Sequence, residues 1–126
     1  MPQGLGTVLV IDDEIMVAEL ARDILQRFGY TVLLASSGEQ AIDLYYRRAN
    51  EIVAVVLDFV MPGMDGREVF HRLRAVNPNV KVIISSGYSR DQDADDLLKL
   101  GAAGFVQKPY RIAELVKVVG EAIARK

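Results

Sequence analysis

An open, doubly wound α/β sheet is the fold class that this chain predicts, and three observations predict it. Short apolar runs recur along the chain and read as buried parallel strands. A stretch with helical spacing follows each run. Polar residues stand where the runs end: Asp12-Asp13 after Val8 to Ile11, Asp58 after Ile52 to Leu57, Ser86 after Val80 to Ile84, and Lys108-Pro109 after Phe105-Val106. Open α/β sheets bind ligands beyond the carboxyl ends of their strands, so these four pieces are expected to meet in one cleft.

The elements follow in order. Residues 1–6, with Pro2, Gly4 and Gly6, read as a flexible lead-in, and residues 7–126 as a single domain. Thr7 to Ile11 is the first strand; Val17, Leu20, Ala21, Ile24, Leu25 and Phe28 then recur at helical spacing up to Gly29, a left-handed stop. Thr31 to Ala35 is the second strand, and Ser37-Gly-Glu-Gln40 forms a capping box for a helix burying Ala41, Ile42 and Tyr45. Ile52 to Leu57 is the most hydrophobic strand, hence central and covered on both faces, and Asp58 terminates it. Beyond Pro62-Gly63, Asp65-Gly-Arg-Glu68 caps a helix with Val69, Phe70, Leu73 and Val76 inward, ending at Asn77-Pro78. Val80 to Ile84 is the fourth strand; Ser89 caps a helix that buries Ala94, Leu97 and Leu98 and stops at Gly101. Gly104 to Gln107 is a short fifth strand, and the last helix buries Ile112, Leu115, Val116, Val119 and Ile123. Five such units are too few for the eight-unit barrel, which leaves a flavodoxin-like five-stranded parallel sheet with five helices in the order 2-1-3-4-5. That order makes the first and third strands neighbours at the topological switch point, where Asp12, Asp13 and Asp58 should converge.

Composition narrows the function classes. The 126 residues carry a formal net charge of -2, which offers no electrostatic reason to bind nucleic acid. Cysteine is absent, which excludes disulfides, thiolate metal sites and a cysteine nucleophile and suits a reducing cytosol. The longest wholly apolar run, Ile52 to Leu57, is too short to span a bilayer, and the first residues lack a signal peptide's basic start and apolar stretch. A cytoplasmic protein without membrane contact is expected.

Charge then assigns the cleft its chemistry. Like charges about 4 Å apart repel by on the order of 4 kcal/mol at an effective dielectric near 20, so three carboxylates need a cation or a proton. Oxygen ligands without cysteine or a suitable histidine set favour a hard ion; Mg²⁺, which takes one or two carboxylates and leaves room for phosphate oxygens, is the best candidate. Asp58, at the end of the central strand, is the best-placed phosphoryl acceptor, with Asp12 and Asp13 across from it to hold the ion. Ser86 offers a hydroxyl to a phosphoryl oxygen and Lys108 an ion pair.

An acidic pair, Leu57-Asp58-Phe-Val-Met-Pro-Gly-Met-Asp-Gly66, a serine after the fourth strand and Lys-Pro after the fifth rarely coincide in order. On these residues the chain resembles a response-regulator receiver domain of two-component signalling, from Thr7 to Ala124. The resemblance implies that Asp58 accepts a phosphoryl group from a phosphohistidine on a histidine kinase or histidine phosphotransfer domain. It implies metal ligands at Asp13, Asp58 and the backbone carbonyl of Val60, with Asp12 assisting. It also implies a switch formed by Ser86 and Phe105, phosphate pairing by Lys108 and a cis bond to Pro109. Such a module promotes its own phosphorylation and dephosphorylation and switches partner binding; it is not a turnover enzyme on a separate substrate. Ser86 stands where Thr is common and Phe105 where Tyr is common, so the switch loses a methyl constraint and a phenolic hydrogen bond. Gly6-Thr-Val-Leu-Val, Ser85-Ser-Gly-Tyr88 and Gln107-Lys-Pro-Tyr110 are similar to receivers fused behind hybrid sensor kinases. Val60, apolar and two residues past Asp58, cannot orient an attacking water, so a fairly long-lived aspartyl phosphate is expected.

Each residue also has a plainer reading. Asp12-Asp13 alone suit the start of a helix, Asp58 a turn, Ser86 loop chemistry and Phe105 packing. Convergence sets the carboxylates apart, since an acid ending a six-residue apolar strand has no packing rationale. His71 is expected on the solvated side of its helix, Asp91, Asp93, Asp95 and Asp96 on a solvated helix start, Tyr45 in packing and Tyr46 at the surface. Two other functions compete. A Mg²⁺-dependent phosphohydrolase with an Asp nucleophile usually places a second acid where this chain has Val60. A flavin-binding module wants a Gly- or Ser/Thr-rich phosphate cradle where the loop after the first strand is acidic.

Overall fold

The computed structural model describes residues 5–87 and 92–125. Strands β1 (Thr7–Ile11), β2 (Thr31–Ala35), β3 (Ile52–Asp58), β4 (Val82–Ser86) and β5 (Gly104–Gln107) alternate with helices α1 (Ile15–Arg27), α2 (Gly38–Arg48), α3 (Gly66–Val76), α4 (Gln92–Lys99) and α5 (Ile112–Ala124). The strands form one parallel sheet in the order β2-β1-β3-β4-β5, the order expected. At its carboxyl end the ladder sets Ile11 beside Leu57, Asp58 beside Ser85 and Ser86 beside Gln107.

Alternation along the strands divides the core between two faces. Leu9, Ile11, Val55, Leu57 and Ile84 pack under α2, α3 and α4 with Tyr45, Phe70 and Leu97. Val8, Val10, Ala54, Val56 and Ile83 pack under α1 and α5 with Leu25, Leu115 and Val119. Because β3 is covered on both sides, apolar residues fill it end to end until Asp58.

Helix ends follow their caps. Ser37 accepts the Gln40 N–H at 3.1 Å, but the Gln40 side chain returns to the Ser36 N–H at 2.8 Å rather than to Ser37, so the capping box is displaced by one residue. Asp65 accepts the Glu68 N–H at 2.9 Å. Gly29 (φ 99°) and Gly101 (φ 116°) stop α1 and α4 in the left-handed region.

Some expectations are corrected. Leu20, Phe28 and Ile112 are exposed at 44%, 47% and 48% rather than inward. The stripes that cover the sheet are narrower than the apolar periodicity, running through Ala18, Ala21, Ile24 and Leu25 in α1 and Leu115, Val119 and Ala122 in α5. Ile42, Val76, Leu98, Val116 and Ile123 are only partly buried. The fourth strand starts at Val82, because the Val80 N–H is turned back onto the Asn77 carbonyl, and it runs on through Ser86. Ser85 and Ser86 are therefore ladder residues, not loop residues. The acids of α4 are not merely solvated, since Arg67 of α3 pairs with Asp93 at 3.2 Å and Asp96 at 3.7 Å. His71 and Tyr46 are exposed and Tyr45 is buried, as expected. The expected Ser89 cap, Tyr88, Asp91 and residues 1–4 of the lead-in lie outside the described residues. No described helix is long and apolar enough to cross a membrane.

Candidate functional site

Asp12 follows β1 and Asp58 ends β3; both are buried, at 1% and 3% exposure, while Asp13 is exposed. Carboxylate oxygens of the three lie within 4.8 Å of one another. Asp12 Oδ1 accepts the Glu14 N–H at 2.9 Å and closes the turn into α1. The helix's N-cap is Glu14 and makes no side-chain capping bond, so neither acid of the pair serves as the cap. Asp58 Oδ1 accepts the Val60 N–H at 3.3 Å.

Lys108 enters from the end of β5. Its Nζ lies 3.1 Å from Asp12 Oδ2, 3.4 Å from Asp58 Oδ2 and 3.5 Å from Glu14 Oε1. The Lys108 N–H donates to the Ser86 carbonyl at 2.7 Å, and the Lys108-Pro109 bond is cis, as the resemblance implied. Burial first, and the neighbouring Asp12 second, push Asp58 up to about 7, against the opposing pull of Lys108 and the Val60 N–H. Burial disfavours the Lys108 ammonium, but Asp58 and Asp12 outweigh it and hold its pKa above the ordinary lysine value. Three carboxylates around one ammonium, with Asp13 a fourth within 4.8 Å of Asp12 and Asp58, leave the cluster short of positive charge, and an all-oxygen donor set fits a hard cation.

The structure thus brings Asp12, Asp13, Asp58 and Lys108 together. A cleft of about 390 Å³ opens at Asp58 and Lys108, lined also by Glu14, Val60 and Gly87. Val60 is 60% exposed there. Ser86 stands on the neighbouring strand, one residue past the ladder partner of Asp58. Phe105 is not among the lining residues; it lies beside Ile84 and packs, half-buried, against the core under α4. Three contributors escaped the sequence reading. Glu14 carries a local signal, an unbroken acidic run with Asp12-Asp13. Ser85 and Tyr110, whose hydroxyls meet at 2.7 Å in the buried interior beside the site, stand in runs similar to hybrid-kinase receivers, but nothing in those runs pairs the two.

The response regulator receiver domain family matches residues 8–120. The chain belongs to that family. This receiver is 37% identical to the sensor kinase CckA of Brucella abortus (strain 2308) over 98% of its own length, yet it spans 13% of the kinase. It is 31% identical to sporulation initiation phosphotransferase F of Bacillus subtilis (strain 168), covering 86% of each chain. The CheX–CheY–BeF3–Mg complex from Borrelia burgdorferi contains a chain of the same fold, with a TM-score of 0.89 and 29% identity over 96% of the receiver and 90% of that chain. Receivers are phosphoacceptor signalling domains rather than turnover enzymes; they bind Mg²⁺ and partner with histidine kinases or phosphotransfer proteins. Phosphoacceptor signalling is accordingly the function of this domain.

Proposed function

We propose that Asp58 is the residue that this receiver phosphorylates, with a phosphohistidine on a histidine kinase or phosphotransfer domain as donor. The observation that carries the reading is the placing of the Lys108 ammonium between two buried carboxylates, 3.1 Å from Asp12 and 3.4 Å from Asp58. An Asp58 oxygen attacks phosphorus, the phosphorus–nitrogen bond breaks, and its electron pair leaves on the imidazole nitrogen, which takes a proton from water. Lys108 and the Val60 N–H favour the ionised acceptor and then pair with the added oxygens, and the Ser86 hydroxyl donates to one of them. Asp12, Asp13, Asp58 and the Val60 carbonyl form the ligand set for Mg²⁺, which when bound supplies positive charge to the acceptor and the transferred group.

Exposed Val60, at 60%, lines the cleft, and Ile15 and Met16, exposed at 60% and 80%, follow its lining residue Glu14 in sequence; the three suit a protein donor over a small molecule. Loading of Asp58 alters the β4–β5 edge through Ser86 and Phe105 and so changes partner binding. The domain promotes its own loading and unloading, works in the cytoplasm, and at a net charge of -2 does not itself bind nucleic acid. Incubation with Mg²⁺ and a small acyl phosphate, followed by intact-mass measurement, tests the assignment. Wild type gains one phosphoryl group and Asp58→Asn gains none; equal modification of the two would sink it.

A further inference from the structure

We infer that the buried Ser85–Tyr110 hydroxyl pair is a positioning element for Lys108, and through it for phosphoryl transfer; this rests on the reading of Asp58 as acceptor. Ser85 Oγ and the Tyr110 hydroxyl stand 2.7 Å apart, with Ser85 0% and Tyr110 8% exposed. Alanine and phenylalanine would fill the same space without polar atoms that need partners, so packing alone does not explain the pair.

Its attachments do. Ser85 is the ladder partner of Asp58, and its carbonyl accepts the Phe59 N–H at 2.9 Å, on the first residue of the acceptor loop. The next carbonyl along β4, that of Ser86, accepts the Lys108 N–H at 2.7 Å. Tyr110 lies two residues past Lys108, its ring seated in the core shared with Val106 and Leu115. The turn that carries Lys108 is therefore pinned at its amide on one side and at the phenol on the other, both to the strand beside the acceptor. Burial raises the Tyr110 pKa to about 12, so the phenol keeps its proton and the bond persists across the working pH range. A lysine on a four-carbon stem reaches a fixed point only as well as its backbone is held.

Tyr110→Phe, Ser85→Ala and the double variant test this in the full chain, reading two quantities: the rate of Asp58 phosphorylation by acetyl phosphate with saturating Mg²⁺, and Mg²⁺ affinity by calorimetry. Each single substitution is expected to slow phosphorylation about fivefold, and the double variant no more than about fivefold, because all three lose one shared bond. Mg²⁺ affinity, which depends on the carboxylates, stays within about twofold. A wild-type rate in Tyr110→Phe overturns the inference, and so does a parallel loss of rate and Mg²⁺ affinity, which marks general loosening of the site. The double variant leaves no buried hydroxyl unpaired, so it carries the measurement if a single variant does not fold. Wild type that gains no phosphoryl group overturns the acceptor reading and this inference together; wild type that is phosphorylated beside unaffected variants overturns the inference alone.

Discussion

Asp12 and Asp58 are alike in chemistry and burial, yet their partners differ. Asp12 receives the Glu14 N–H at 2.9 Å and Lys108 at 3.1 Å; Asp58 has the longer contacts, 3.3 Å to the Val60 N–H and 3.4 Å to Lys108. Burial and Asp12 hold the Asp58 pKa at about 7, against 3.8 in the unfolded chain. Between those values the folded state binds the proton that the unfolded state has lost, so in chelator the contribution of Asp58 to stability is fully present below pH 4 and falls as pH rises to about 7. Asp58→Asn is expected to be more stable than wild type at pH 8 by on the order of 1–3 kcal/mol and to flatten that fall, as thermal melts at pH 5 and pH 8 would show. At the cleft mouth, Val60→Asn supplies a side chain able to orient water, and loss of phosphate from the loaded protein should accelerate; an unchanged decay rate counts against the long-lived phosphate. Asp12, Asp13, Asp58 and Lys108 were legible because each follows an apolar run. The Glu14–Lys108 and Ser85–Tyr110 contacts join residues 94 and 25 positions apart through side-chain direction, which periodicity does not encode.

The helices were legible by their punctuation. Ser37 and Asp65 cap, Gly29 and Gly101 stop, and all four act within their own turn. β4 was misplaced by two residues for the complementary reason: Val80 has a strand's composition, but a turn bond to Asn77 holds it out of the ladder. Close approach between elements was equally hidden. A Cβ on Gly66 would come within 2.8 Å of the Phe59 Cα and carbonyl oxygen, so the first turn of α3 fits against the acceptor loop only as glycine. Gly66→Ala should lower stability by roughly 1–3 kcal/mol in chemical denaturation. In α4, Leu97 is fully buried in the core under the helix. Leu97→Ala should lower stability by about 2–4 kcal/mol, far more than Arg67→Ala, which removes exposed ion pairs of the kind that contribute about 0–1 kcal/mol.

Across the whole molecule, the strand order was legible because right-handed crossovers and five units leave few arrangements, and that order alone brings β1 and β3 together. On the proposed ligand set, Mg²⁺ would bind the folded arrangement of Asp12, Asp13 and Asp58 and not the unfolded chain, so at 100 times its dissociation constant it should stabilise the fold by about 2.7 kcal/mol. Thermal melts across a Mg²⁺ series would show a rising midpoint in wild type and a flatter one in Asp13→Asn. The two ends of the described chain lie at the opposite pole from the acidic cluster. Gly6 accepts the Thr31 N–H ahead of β1, while the Arg125 guanidinium reaches the Ala102 carbonyl and its own carbonyl accepts from Lys81, beside the starts of β4 and β5. The described ends therefore stand on the side of the sheet away from the cleft, clear of the face that a donor protein would approach. A partner seated on the cleft and the domain's own described ends would thus occupy different surfaces.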